Sequence, residues 1–335
     1  MEPATALISR RCRQLVASAV LASALLASVA THIPAASGTN SLGAQFTETR
    51  TVAHRHGVRP GYGWPIKPFN RQHPVRANLN DPRNGDGVAK SFHFGIDISA
   101  PDGTAVYAIE PGQAFVTRGR MAVAVKGARR TFGYWHIMPA VRDHQSIRVH
   151  QLLGYICSND GGGQHVHLAE RVGADYLNPL RPGGIGPYVD RTPPTVVSVE
   201  LLSRGREVNA NQLKGRVDII AEISDTTPML VPAPWSRLPV TAARIRWSLT
   251  HGSRQIRAPR TVIDSDHMLP GKMYDTVFAP GTSQNYVGQP GHYRYYLARG
   301  LKTSRLPQGV SHLRIETLDA RGNRAVAQVN IAPAA

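Results

Sequence analysis

The chain has 335 residues, 41% of them apolar, with 31 Gly, 25 Pro and a formal charge of +17. That length accommodates two domains with separate cores, the apolar content excludes disorder throughout, and the dispersed Gly and Pro favour short strands and turns over long helices. The basic residues are scattered and are not blocked together with aromatics, so no nucleic-acid partner is read from the charge; adhesion to anionic surfaces such as cell-wall polymers is the expectation.

In chain order, residues 1–30 read as a signal peptide. Arg10, Arg11 and Arg13 precede an uncharged apolar run, Leu15–Ala30, and small residues at Ser28 and Ala30 suit cleavage, with Ala36 as a second possible cut. The run is shorter than the ~20 residues of a spanning helix. No other segment could span a membrane, so a secreted or cell-envelope protein without a span after cleavage is expected. Removing residues 1–30, which carry three Arg and one Glu, leaves a charge of +15. Cys12 would leave with the signal, and Cys157, in an apolar strand, reads as a buried inert thiol.

Residues 31–61 read as a flexible lead. From 62 to 182, short apolar runs alternate with turns such as Pro101-Asp102-Gly103. Residues 183–194 have the Gly/Pro composition of a linker. Beyond it, Val196–Leu202, Arg216–Ser224, Ala242–Thr250, His292–Ala298, His312–Leu318 and Ala325–Ile331 read as strands, with Asp319–Asn323 as a hairpin turn. Without a convincing helix, residues 195–335 are expected to form an immunoglobulin-like β-sandwich. The fold class expected for the whole chain is mainly β.

Fourteen His are present, and three short segments concentrate the chemistry: His93-Phe94-Gly95-Ile96-Asp97, Tyr134-Trp135-His136 and His165-Val166-His167. In a strand, His165 and His167 face one side and can reach one small volume. His93 and Asp97 would be ~13 Å apart in a straight strand, too far for one ion. A break near Gly95 is therefore predicted, turning both side chains toward a common metal. Imidazole and carboxylate suit zinc, whose catalytic sites use three protein ligands and one open position. His93, Asp97 and one imidazole of the His165/His167 pair make that count, leaving the other imidazole and His136 beside the open position. Taken singly, His136 after Tyr134-Trp135 reads as a packing residue. His54, His56, His73, His144, His150, His251, His267, His292 and His312 have no partner at ligand spacing.

The order His-x-x-x-Asp, Tyr-x-His, His-x-His resembles the LytM/lysostaphin-type zinc endopeptidases of bacterial cell walls. Phe94-Gly95-Ile96-Asp97-Ile98 running into Ala100-Pro101-Asp102-Gly103-Thr104 and Val106-Tyr107-Ala108, then Gln151-Leu152-Leu153-Gly154 and Leu177-Asn178-Pro179-Leu180, extend the resemblance over about residues 62–182. It implies an antiparallel β-sheet catalytic domain, one zinc ion held by His93, Asp97 and His167, and His136 and His165 as the catalytic pair. The implied activity is hydrolysis of peptidoglycan peptide cross-links by zinc-activated water. No His-Glu-x-x-His helix supplies a Glu base, and imidazole can substitute. The alternative is a catalytically silent relative that binds wall or regulates another hydrolase. Two departures bear on the substrate cleft: a short Ser158–Gln164 loop, and Leu168-Ala169-Glu170 where an aromatic commonly follows the second His.

Overall fold

The computed structural model describes residues 46–52, 61–85, 87–117, 119, 121–157 and 163–334. The expected signal peptide, His54, His56 and most of the loop before Gln164 lie outside these residues. Every ladder between the described strands is antiparallel, in agreement with the mainly β fold class read from the sequence.

The N-terminal half is built on a large sheet whose neighbours run Ser146–Ile147, Gly112–Thr117, Ala122–Lys126, Thr131–Trp135, His165–Val172, Ile96–Ser99 and Val75–Ala77, with Asp175–Leu177 also paired to His165–Val172. A smaller sheet, Ile137–Pro139, Leu152–Ile156 and Ala105–Tyr107, shares its core. Ile96, Ile98, Phe132, Tyr134, Val166 and Leu168 from the large sheet meet Val106, Ile137, Leu153 and Ile156 from the small one. The strand His165–Val172 lies between two partners and alternates in a functional sense. Val166 and Leu168 enter the core, while His165 and His167 are buried on the opposite face.

The C-terminal half has two sheets over a second core. One runs Phe46–Thr51, Arg324–Ile331, Ser311–Leu318, Arg244–His251 and Arg254–Asp264; the other runs Arg206–Glu207, Thr195–Ser203, Arg216–Ser224 and Arg294–Lys302. Val199, Leu201, Val217 and Ile219 from the second sheet pack with Trp247, Leu249, Ile315 and Val329 from the first. All six strands expected here are present. The sequence reading missed Arg254–Asp264, whose Arg-rich, largely exposed surface carries no hydrophobic alternation, and the short helix Tyr274–Val277.

Two further differences correct the expectations from sequence. Phe46–Thr51, inside the expected flexible lead, is an edge strand paired with Arg324–Ile331; its polar FTETRT sequence is held by backbone pairing, with little burial to announce it. The Gly/Pro-rich segment after Pro182 is docked: Ile185 enters the first core, and Trp64 Nε1 donates to the Pro187 carbonyl at 2.9 Å. Cys157 is fully buried, as the sequence led one to expect.

The two halves are tied by the loop that leads to His93. Asn78 Nδ2 donates to the Thr241 carbonyl at 2.9 Å, and Asn80 Nδ2 donates to the His267 carbonyl at 2.9 Å while its Oδ1 accepts from Leu269 N at 2.9 Å. Asn84 Nδ2 donates to the Thr282 carbonyl at 2.7 Å. Phe92 then leaves the first domain altogether and packs in the second core, its ring 5.5 Å from Tyr274 and 5.7 Å from Phe278.

The predicted break is present. The strand Ser91–Phe92 ends before His93, and the next begins at Ile96. A Cβ on Gly95 would stand 2.3 Å from the Leu168 carbonyl oxygen and 2.8 Å from His167 Nε2, so the backbone approach itself requires glycine. Gly95→Ala is therefore expected to lower the unfolding free energy by about 1–3 kcal/mol, read as a lower urea midpoint at unchanged slope; a wild-type midpoint would refute the close approach.

A junction cluster gives a pH dependence. Carboxylate oxygens of Asp190, Asp225 and Asp319 lie within 4.8 Å of one another. Burial, reinforced by the Asp319 charge, pushes Asp190 from 3.8 up to about 7. Burial also raises Asp225 and Asp319, with repulsion from its two neighbours adding to the shift of Asp225. A carboxyl raised in the folded state binds its proton there and not in the unfolded chain across the window from ~4 to ~7, so stability falls as pH rises through that window. Asp190→Asn should accordingly stabilise the protein by about 1–3 kcal/mol at pH 8 and by much less at pH 4, measured as the difference in denaturant midpoints at the two pH values.

Candidate active site

The five residues singled out by the sequence converge on one cleft. Antiparallel pairing sets Asp97 directly opposite His167, and His167 opposite Trp135 on its other side, so three consecutive strands deliver their side chains to one spot. His93 arrives from the interrupted segment before Gly95. Its Nε2 lies 2.8 Å from Nδ1 of His167 and 3.1 Å from Oδ1 of Asp97, and His167 Nδ1 lies 3.1 Å from the same oxygen. His165 Nε2 stands further off, 3.7 Å from Asp97 Oδ1. His136 follows the strand Thr131–Trp135, and its ring centroid is 4.4 Å from that of His165.

Of the His165/His167 pair, His167 joins His93 and Asp97 in the tight triangle. His136 does not simply pack on its neighbouring aromatics; it faces His165 and lines the cleft. His136 also has a left-handed backbone, φ 60°, which a non-glycine residue adopts only at a cost.

The electrostatics favour neutral imidazoles around an ionised carboxylate. Burial disfavours charge on Asp97, but the close approach of His93, His165 and His167 reverses that and holds it well below the usual carboxylate range. Burial lowers His93, and Arg83 lowers it further, against the pull of Asp97. Burial lowers His167 to about 4 and His165 to about 4. The His93 Nδ1–H donates to the Asn78 carbonyl at 2.8 Å, which leaves Nε2 as a lone-pair donor toward the triangle. Arg83 Nη2 contacts the outer oxygen of Asp97 at 3.3 Å.

The donor set fits a metal ion. Tetrahedral coordination at the ~2.0–2.2 Å bonds typical of zinc separates ligand atoms by roughly 3.3–3.6 Å, and the triangle of 2.8, 3.1 and 3.1 Å is a few tenths of an ångström tighter. Two neutral imidazoles with lone pairs aimed at one another and at a carboxylate oxygen repel unless a proton or a cation stands between them. His167 Nε2, the ring's other nitrogen, is buried without a hydrogen-bond partner, packed against Phe94 and Trp135. Among the described residues, the other group able to gather three metal-ligand side chains is Asp190, Asp225 and Asp319, which has no imidazole and does not line the cleft.

The cleft encloses about 490 Å³ and is lined by residues of both halves. Arg76, Arg83, Phe94 and Trp135 come from the first, and Trp235, Gln284 and Asn285 from the second. Phe94 and Trp135 lie inside the motifs read from the sequence, and the others carried no sequence signal. Arg76 lies in a three-residue strand, and Trp235 follows the first half's site residues by 68 or more positions. No helix among the described residues is long and apolar enough to cross a membrane.

No curated protein matches the chain. Among solved structures, a variant of the catalytic domain of the prophage-encoded M23 protein EnpA from Enterococcus faecalis is 25% identical, over 34% of this chain and 96% of that one, with a TM-score of 0.28. A zinc containing peptidase from Vibrio cholerae is 20% identical over 34% of this chain and 37% of that one, with a TM-score of 0.30. Lysostaphin, in its NMR solution structure, is 13% identical over 80% of this chain and 86% of that one, with a TM-score of 0.27. Residues 91–179, the stretch that holds His93, Asp97, His136, His165 and His167, match Peptidase family M23, so the resemblance first read from the order of the motifs stands for that segment.

Proposed function

We propose that this chain is a secreted zinc-dependent endopeptidase that hydrolyses peptide cross-links of bacterial peptidoglycan. The reading is carried by the triangle of His93 Nε2, Asp97 Oδ1 and His167 Nδ1, which lies in a cleft beside two further imidazoles. The match of residues 91–179 to a peptidase family supports it. The signal-like residues 1–30 support export, and the two separate cores support a catalytic domain over 62–182 and a second domain over 195–335, with residues 183–194 docked between them.

In this mechanism His93, Asp97 and His167 would hold one zinc ion. A bound zinc ion supplies Lewis acidity, acidifying water toward neutral pH and polarising the scissile carbonyl. The chain's own residues do the rest. His165 keeps Nε2 toward the cleft because its Nδ1 is engaged elsewhere, at 2.7 Å from the Gly163 carbonyl. It is the general base that takes the proton from the attacking water and returns it to the leaving amine. His136 stands against that ring and orients the water or stabilises the oxyanion. Phe94 and Trp135 wall the ligands from solvent, which strengthens each polar contact within. No observation favours a silent relative, since all five polar side chains are present and line the cleft.

The full-length protein is expected to carry one zinc ion. His93→Ala should lose it. His165→Ala should keep the metal while release of new amines from peptidoglycan or glycine-rich peptides falls by ~10²–10⁴-fold. Wild-type zinc content in His93→Ala, or undiminished turnover in His165→Ala, contradicts the assignment.

A further inference from the structure

Trp235 belongs to the second domain, on the segment between the strands Arg216–Ser224 and Arg244–His251, yet it lines the cleft of the first. The Arg76 guanidinium carbon lies 4.2 Å from the centroid of its indole, a cation–π stack. Arg76 is itself buried, and its Nη2 stands 2.9 Å from Nδ1 of His165. The Gly163 carbonyl, 2.7 Å from the same nitrogen, accepts its proton, so the guanidinium packs beside Nδ1 and does not donate into it. Gly163 also touches the indole: with φ +82°, a Cβ there would lie 2.5 Å from Trp235 Nε1 and 2.9 Å from Arg76 Nη1. One indole therefore backs two groups that stand at His165 Nδ1.

What happens at Nδ1 decides what Nε2 can do. A histidine whose Nδ1 is held keeps one ring orientation, and Nε2 faces the cleft. Without the indole, the Arg76 side chain has rotamers open toward the space it vacates, and Gly163 loses the surface it packs on. The segment that carries Trp235 is seated nearby by its own contacts: Asp225 and Val240 exchange backbone hydrogen bonds at 2.8 and 2.9 Å, and Trp235 N donates to the Pro232 carbonyl at 3.1 Å. The neighbouring cleft wall is anchored too, since Gln284 Oε1 accepts from Asn84 N at 3.3 Å and Asn84 Oδ1 accepts from Gln284 N at 3.3 Å.

We propose that Trp235 is a positioning residue for the reaction, holding the imidazole of His165 in its working orientation from the second domain through Arg76 and Gly163. The kinetic part rests on the peptidase reading above; the positioning part does not. The second domain then has a defined task in the cleft, separate from any adhesion to the wall.

The test uses the full chain as purified, with Trp235→Ala, Trp235→Phe and, as a surface control, Leu230→Ala. Trp235→Ala should lower kcat about 10–100-fold with KM changed less than about threefold, zinc content and thermal midpoint staying near wild type. Trp235→Phe should recover most of the loss, because a phenyl face still holds a guanidinium. Independently of turnover, the imidazole ¹⁵N and Hε1 resonances of His165, assigned by their absence in His165→Gln, should shift and broaden in Trp235→Ala and not in Leu230→Ala. Unmoved His165 resonances overturn the proposal, as does wild-type kcat with moved resonances or a Trp235→Phe as impaired as Trp235→Ala. If the wild-type chain cleaves no peptide, the peptidase reading fails, and the resonances alone decide whether Trp235 positions His165.

Discussion

Asp97 is 7% exposed, and an anion buried that deeply is tolerated only where neighbours replace the lost water. Here the neighbours are His93 and His167 at 3.1 Å, His165 at 3.7 Å and Arg83 at 3.3 Å. Burial pushes the carboxyl toward neutrality and the imidazoles win, while the same burial keeps those imidazoles from charging fully. The result is a carboxylate among lone-pair-bearing nitrogens, an arrangement that stays frustrated without a cation and becomes a ligand set with one. The strand pairing exists to make this meeting possible. A one-residue slip between Ile96–Ser99 and His165–Val172 would turn His167 into the core and destroy the group.

The meeting also depends on the second domain. His93 is placed by the Asn78 carbonyl behind it and by Phe92 before it. Asn78 is bonded to Thr241, and Phe92 is sunk into the second core. The ligand with the longest route into the site is thus fixed from both sides by contacts that cross between domains. Asp81 adds to this brace. Its buried carboxyl, raised by burial to about 6, is shared between Thr241 Oγ1 and the Asn78 backbone N–H. A catalytic domain cut free at the linker would leave Asn78, Asn80 and Asp81 facing water and Phe92 without its pocket. The Gly/Pro composition of residues 183–194 suggests a tether, yet Ile185 and the bonds from Arg321 to the Arg181 and Ile185 carbonyls join the halves into one body.

What could be read in advance has a common physical basis: it was local. The alternation in Gln164–Glu170 put His165 and His167 on one face because strand geometry has period two. Gly95 announced a break because His93 and Asp97 could not otherwise meet. The strands Arg216–Ser224 and Ser311–Leu318 were legible because one face of each is apolar. Arg254–Asp264 was missed because most of its side chains lie in solvent, so only its backbone ladder defines it. Phe46–Thr51 escaped for the same reason. Arg76, Arg83 and Trp235 were invisible for a different one. Their relevance comes from tertiary proximity, and nothing in Val75–Ala77 or in the Pro-rich run around Trp235 specifies what will be folded against it.

His136 lies between these cases. Its motif marked it, but its role depends on a backbone that the motif does not reveal. The chain leaves the large sheet at Trp135 and enters the small one at Ile137, so a single residue must absorb the change of sheet. That residue takes φ 60°, with its carbonyl fixed by Cys157 N at 2.8 Å and the next N–H given to the Met121 carbonyl at 2.9 Å. Glycine would occupy this conformation at lower cost, by roughly 1 kcal/mol. A histidine kept there accepts the strain in return for an imidazole that the same reversal carries out of the sheet and against His165. The turn that changes sheets and the turn that aims the side chain are one turn, which is why a left-handed histidine backbone stands at the cleft.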